Sequence, residues 1–353
     1  MSEKNGFEYI LTQDNKCDTK IEYPVEPWLG YTKDPEGRDI LLAEDHFKRK
    51  IEDLLITQIK GEYLPDIIIP GIEQHIKLIQ PEFSFRPDLW SLNVIKGLLK
   101  GIDEGILKTG EDTEWIEIGP GIGINEIALL LKQGAQPGKI SITDTDGRQN
   151  YVTKHNIAKN CGPEALNRIS LSHAGDLLKN IPEEKKFDVI FACIPQVPCL
   201  KEFAANTQEI SNYFNPDDYK NYYNDNLAML THLSNRGLVL NDVLLQQSRQ
   251  RLKEGGKVVL NLAGRAGESD INTIFERNGF HKKQILHSEV IQQHPQTSIE
   301  NFANTEEALH QNFCFYSDSE GKEPIGAQLA HELMLKNKPV YHKIYAISAE
   351  LDN

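Results

Sequence analysis

The stretch Glu117-Ile118-Gly119-Pro120-Gly121-Ile122-Gly123 joins a short apolar segment, WIEIG, to a helical one, NEIALLLKQG. Glycines at such a junction remove Cβ atoms. A ligand can then lie against the main chain, beside the free N–H groups of a helix start. The spacing is G-x-G-x-G, whereas dinucleotide sites use G-x-G-x-x-G. Glu117, two residues before the first glycine, can accept from an ammonium group. A turn that only packs a strand closely on a helix would use the same glycines, so the motif must be weighed with its neighbours.

Asp144 ends the strand-like KISITD, 21 residues beyond Gly123. An acid at this place in nucleoside-binding α/β folds accepts from ribose hydroxyls. Asp146 competes for that role but is better placed to cap the helix that begins near Gly147. Asp176, after RISLSHAG, can accept from an adenine amino group or cap DLLKNI; both readings stand. A glycine cradle, an ammonium acceptor and two strand-end acids together suit S-adenosylmethionine. No metal is expected: His155, His173 and His232 lack ligand spacing, and the five cysteines include no C-x-x-C pair.

These residues need a scaffold that brings strand ends together. From Trp115 strands and helices alternate: WIEIG, NEIALLLKQG, KISITD, GRQNYVTKHNIAKN, RISLSHAGD and KKFDVIFACIP. Strands apolar on both faces predict an α/β fold whose mostly parallel sheet carries helices on both sides, with ligands at the C-terminal strand ends. After Pro198 the alternation pauses for a Tyr- and Asn-rich insert, about 198–237. It resumes with a helix over LVLNDVLLQQSRQRLKEGG, a strand over KVVLNLAG and a helix over SDINTIFERNGF. The tail reads as strand (313–317), helix (GAQLAHELMLK) and strand (341–351). Residues 1–105 read as a helical extension or cap, with helical patterns over 42–60 and 88–102; residues 106–353 form the ligand-binding domain.

The net charge of −14 disfavours a nucleic-acid partner and leaves a small molecule as the better-fitting substrate. No run approaches the ~20 apolar residues of a membrane span. The polar start MSEKNGFEYILTQDNK has no secretory pattern, and an odd cysteine count suits a reducing cytoplasm.

With these motifs the chain resembles class I S-adenosylmethionine-dependent methyltransferases. TDTDGRQNYVTKHN follows that family's acid after the second strand and Asn in the next helix. Arg86-Pro87-Asp88 sits where relatives place a segment covering the cofactor, which makes Arg86 a cofactor-binding candidate. More narrowly, PDLWSLNVIKGL, ACIPQ, LSNRGLVLNDVLLQQS, NLAGRAG, FERNGF and the Tyr-rich end strand occur in the order found in methionine S-methyltransferases. These include the methyltransferase part of the plant enzyme and small bacterial enzymes of dimethylsulfoniopropionate synthesis. The resemblance implies a Rossmann-like sheet and methyl transfer to the sulfur of L-methionine, giving S-methylmethionine. It is compatible with a homo-oligomer, in which the N-terminal extension is either a lid or a dimer interface.

The strand end FDVIFACIPQ raises the chemical question. N-methyltransferases of this superfamily end the fourth strand in Asn/Asp-Pro-Pro-Tyr/Phe, holding a planar nitrogen. Here the positions read Cys193-Ile194-Pro195-Gln196, and a thiol cannot hold an amide with two strong hydrogen bonds. A thioether carries no proton, so the transfer needs alignment and no general base. Cys193, Pro195 and Gln196 are therefore expected to line the acceptor site. Arg265 or its rival Arg236 is expected to bind the acceptor carboxylate. Trp90, Tyr219 and Tyr222 could present aromatic faces to a sulfonium, or simply pack the core and insert. Two other functions stay open at this point: methylation of a nitrogen acceptor such as protein glutamine, and non-catalytic cofactor binding.

Overall fold

A computed structural model describes residues 31–33, 39–41, 62–64, 67–69, 71–81, 84, 87–199, 215–224, 226–293 and 299–352. Seven long strands form the central sheet: β1 (Gly110–Ile118), β2 (Pro137–Asp144), β3 (Ile169–Ala174), β4 (Phe187–Ala192), β5 (Leu252–Ala263), β6 (Lys282–Gln292) and β7 (Tyr341–Glu350). Their spatial order is β3-β2-β1-β4-β5-β7-β6. β1 to β5 pair in parallel, whereas β7 runs antiparallel to both β5 and β6. This is a Rossmann-like α/β arrangement, as expected. The order reverses between β1 and β4, which places the binding crevice at their C-terminal ends.

Alternation along the strands builds the two faces. Trp115, Ile140, Ile142, Val189 and Phe191 point to one side, where they meet α1 (Leu89–Asp103), α2 (Ile124–Leu131) and α3 (Gly147–Cys161). Ile116, Ile118, Ile190, Val258 and Leu260 point to the other. They meet α4 (Leu227–Arg236), α5 (Val239–Ser248) and α6 (Glu268–Arg277). All six residues of β4 are buried, including Asp188, which accepts from Lys108 at 2.9 Å, Lys253 at 2.6 Å and the Glu114 amide at 2.8 Å. These partners hold its carboxyl below the usual range despite burial.

The chain before β1 differs from the expected helical extension. Its described part contains the strand pairs 31–33/39–41 and 62–63/79–80, and only then α1. Pro65, Pro70 and Pro81 interrupt that stretch, and a proline in a helix interior removes a hydrogen bond and clashes with the preceding turn. The helical pattern over 42–60 lies outside the described residues. α1 itself packs on the sheet: a Cβ at Gly97 would stand 2.4 Å from that of Ala346 in β7. The helix expected through Gly256 stops at Ser248, and Leu252 already begins β5. β6 lies where no strand was read. Between β6 and β7, α7 (Glu300–Leu309) and α8 (Ala327–Leu335) pack around Phe302, Phe313 and Phe315. Among the described residues no helix is long and apolar enough to cross a membrane.

Candidate functional site

The glycine loop closes β1 and opens α2. Gly119, Gly121 and Gly123 all have positive φ, at 74°, 56° and 86°. Gly123 is needed for packing: a Cβ there would stand 3.0 Å from the main chain of Thr153 in α3. Thr153 in turn donates to the Gly121 carbonyl at 3.0 Å, pinning the loop to α3. A Cβ on Gly121 would meet nothing within 4 Å. That open space above a backbone in the left-handed region is what a ligand lying on the loop requires, and S-adenosylmethionine fits this test.

Glu117 is fully buried behind the loop. One oxygen accepts from Asn125 Nδ2 at 2.6 Å; the other has no hydrogen-bond donor. Burial, then the neighbouring Glu126, push its carboxyl well above the usual range, and Glu126 is raised by burial as well. Two buried acids side by side cannot both ionise cheaply, so the pair holds a proton. In this structure Glu117 faces its neighbours in α2, and Asn125 and Glu126 are the partners that sequence reading missed.

Asp144 and Asp146 divide their roles. Asp146 caps α3 by accepting from the Arg148 amide at 3.0 Å. Asp144 accepts from the Asp146 amide at 2.9 Å. Burial raises its carboxyl to about 7 even though the Gly121 amide lies close enough to oppose the shift. Asp144 therefore stands beside the loop's open glycine. Asp176 lies past β3, where one oxygen accepts from the Tyr219 hydroxyl at 2.7 Å. Arg86 lies outside the described residues.

The strand end that follows β4 is tied down by its own side chains. Ile194 packs toward Gly119: a Cβ there would stand 3.4 Å from it. Pro195 is exposed. Gln196 is buried, and both ends of its amide are spent on Ala263 of β5: Nε2 donates to the carbonyl at 3.0 Å, and Oε1 accepts from the amide at 2.8 Å. Gln196 thus fastens the loop to β5. Cys193 accepts from Asn261 Nδ2 at 3.2 Å, and burial pushes its thiol up to about 12. Asn261 also donates to the Trp90 carbonyl at 3.0 Å and accepts from Asn93 Nδ2 at 2.7 Å. Asn93 and Asn261 were not foreseen, because a buried Asn in NVIKGLL or NLAG carries no spacing signal.

The two arginines part company. Arg236 is engaged on all sides: it donates to Asp270 at 2.6 Å, to the Asn312 carbonyl at 3.0 Å and to the Ala266 carbonyl. His232 shares Asp270 at 2.8 Å. Its donors serve the fold, contrary to the role expected of it. Arg265 is equally buried but meets only neutral acceptors. It lies between the Trp90 ring, 5.2 Å away, and the Phe302 ring, 4.7 Å away. Tyr222 accepts from Gln247 at 2.8 Å and Tyr223 donates to Asp242 at 2.7 Å, so the described tyrosines of the insert are anchored to α5 and Asp176. Among the described residues no group of three or more His, Cys, Asp or Glu is placed to hold a metal.

No protein-family model matches the chain. Over 299 residues, 80% of its length, it is 24% identical to a methionine S-methyltransferase of Zea mays; over 322 residues, 85% of its length, it is 22% identical to that of Arabidopsis thaliana. The chain is similar to methionine S-methyltransferases. It spans only about a quarter of these relatives, 26% and 28% of their lengths. Among solved structures, precorrin-6y C5,15-methyltransferase of Geobacter metallireducens aligns at a TM-score of 0.38 and 12% identity, covering 78% of this chain and 94% of that one. The similarity to methionine S-methyltransferases matches the resemblance read from DLWS and ACIPQ.

Proposed function

We propose that this protein binds S-adenosylmethionine at the C-terminal ends of β1 to β4 and methylates the thioether sulfur of L-methionine, giving S-methylmethionine and S-adenosylhomocysteine. The observation that carries this reading is the match to plant methionine S-methyltransferases across 80% of the chain. When bound, the cofactor supplies an electrophilic methyl group on a sulfonium. Gly119, Gly121 and Gly123 offer it bare main chain near the α2 N-terminus, and ionised Asp144 accepts from its ribose hydroxyls. Asp176 reaches the adenine edge, with Tyr219 orienting its carboxylate. Glu117, once its shared proton is gone, accepts from the ammonium.

The acceptor sulfur has no proton to lose, so no residue has to serve as base. Cys193 supports that: its thiol stays protonated at neutral pH and is itself the acceptor of an Asn261 hydrogen bond. Ile194, packed toward Gly119, would help exclude water and align the reacting atoms, with Pro195 beside it. The proposed setting is the cytoplasm and the proposed partner a small amino acid.

Mass spectrometry of small-molecule products tests the reading. Purified protein is incubated with S-adenosylmethionine and either L-methionine, its thioether analogues or nitrogen acceptors. A product about 14 mass units heavier than protonated methionine, bearing a fixed positive charge, is expected. Methionine left unchanged while a nitrogen compound is methylated would discard the substrate.

A further inference from the structure

We propose that Arg265, His342 and Gln293 form a carboxylate-binding subsite that anchors the acceptor, an inference that rests on the amino-acid thioether reading above. Arg265 is 4% exposed, yet among the described residues no acid answers its charge. Its hydrogen bonds go to Gln293 Oε1 at 3.4 Å and the Gln196 carbonyl at 3.2 Å, both neutral and both long. Its Nε has no partner among the described residues. Burial alone pushes the guanidinium down to about 9. A buried cation without a counter-ion is costly to the fold, and Arg236 shows how this chain treats an arginine that serves structure: it meets Asp270 at 2.6 Å.

His342, in β7, deepens the deficit. It is 1% exposed, and among the described residues neither ring nitrogen has a partner. Burial first, then the charge of Arg265, keep the imidazole neutral, so it offers one N–H donor. Its ring lies 5.6 Å from that of Trp90, the same ring that flanks Arg265. Unmet donors of two residues thus gather around one aromatic side chain. A carboxylate supplies what they lack: one negative charge and several acceptor positions, in the planar shape a guanidinium matches.

The subsite is wired to the strand end where the sulfur must be held. The Gln196 carbonyl links it to the loop after β4, and Asn261 bridges the Trp90 carbonyl to Cys193. An acceptor held here by its carboxylate would extend its side chain toward that strand end. The substrate class that follows is a small thioether acid, with the carboxylate as the selected group.

Calorimetry in the presence of S-adenosylhomocysteine tests the subsite with L-methionine, L-methioninamide and 3-methylthiopropionate. Methioninamide should bind about 100-fold more weakly than methionine, and Arg265→Met should weaken methionine by a similar factor while leaving methioninamide almost unaffected. His342→Leu should weaken methionine, and His342→Gln, which keeps a donor, should recover part of the loss. Without acceptor, Arg265→Met should melt no lower than the wild type, because it removes a buried unpaired charge. Equal binding of acid and amide, or a lower melting temperature for Arg265→Met with normal methionine affinity in His342→Leu, overturns the subsite. The function reading can fail separately. If methionine does not bind, a thermal-shift screen of the common amino acids decides: an acid stabilising wild type but not Arg265→Met upholds the subsite, and none doing so overturns it.

Discussion

Asp144 makes cofactor binding depend on pH in a way that can be worked out beforehand. Two ribose hydroxyls need an acceptor, and a protonated carboxyl gives up much of that capacity. Burial lifts Asp144 from an ordinary carboxylate value to about 7. At pH 8 roughly nine-tenths of the empty protein then carries the ionised form, and at pH 6 roughly one-tenth. The association constant for S-adenosylhomocysteine should therefore fall about tenfold between pH 8 and pH 6, with a proton released on binding at pH 6. The sign for stability is opposite. A carboxyl raised in the folded state favours folding below its unfolded value and loses that contribution as pH rises through about 7, so the empty protein weakens over this window while the ligand-bound protein does not.

Titration calorimetry at pH 6, 7 and 8, in buffers of different ionisation enthalpy, measures both the affinity and the proton count. Asp144→Asn keeps one acceptor oxygen but cannot ionise. It should bind roughly 10- to 100-fold more weakly at pH 8, equivalent to about 1.5–3 kcal/mol, and its affinity should no longer vary with pH. Glu117 and Glu126 are also raised by burial, so the variant is the decisive arm. A wild-type affinity that is flat from pH 6 to 8 refutes the assignment to Asp144. A slope that survives in Asp144→Asn moves the proton to the glutamate pair.

Three further outcomes separate scaffold from site. Gly121→Ala should fold, at a cost of about 1–2 kcal/mol for its left-handed backbone, and lose cofactor binding; Gly123→Ala should lose stability first, because its Cβ would press on Thr153. Thermal melts alongside ligand titrations distinguish the two. Asp242→Ala should cost about 3 kcal/mol or more in denaturant unfolding, since this fully buried acid accepts from Tyr223 at 2.7 Å, Gln246 at 3.0 Å, Asn278 at 2.8 Å and Arg277. Cys193 should resist iodoacetamide at pH 8 in the native protein and react after unfolding, because its thiol is held near 12. Rapid native alkylation, mapped by peptide mass, would contradict that environment.

The legible parts of the sequence were those where one element dictates its own pattern. β1, β2, β4 and β5 are covered on both faces, so their cores read as continuous apolar runs. β6 escaped because it pairs only with β7: of its eleven residues only Leu286 and Ile291 are buried, and KKQILHSEVIQ looks like a loop. At the site, Asp144 and Asp146 could be told apart because capping is a local geometry. Arg265 and Arg236 could not. What distinguishes them is Asp270, 34 residues beyond Arg236 in α6, and only the packing of α6 beside α4 brings it there. His342 was hidden for the same reason. It sits in an ordinary strand alternation, and only the fold brings Trp90 of α1 beside its ring. Gln196 misled in the opposite direction: its position at the strand end was informative, but its amide turns sideways to β5.

Charge distribution also bears on the choice between sulfur and nitrogen acceptors. Methylating a planar nitrogen requires two good acceptors at the end of β4, to hold N–H groups and carry away a proton. The side-chain groups there are a protonated thiol, which is a weak acceptor already engaged by Asn261, and the Asn93–Asn261 pair, in which Asn93 Oδ1 is the one acceptor left over. Moving a methyl between two sulfurs leaves the total charge unchanged, so nothing near the reacting atoms has to change protonation. What helps is a mildly negative surrounding for a cation that shifts by one bond. The charged group that acts on the Cys193 thiol is of that sign: Asp88, which caps α1. Arg265, the nearby cation, is set back behind Trp90 and Gln196, where the proposed carboxylate would neutralise it before the sulfonium charge moves. On this argument Asp88→Asn should slow a single-turnover transfer to methionine more than it weakens methionine binding, with α1 kept intact because asparagine is an equally good cap. A variant that transfers at the wild-type rate would show that the acid acts on the thiol alone and has no hold on the reacting sulfur.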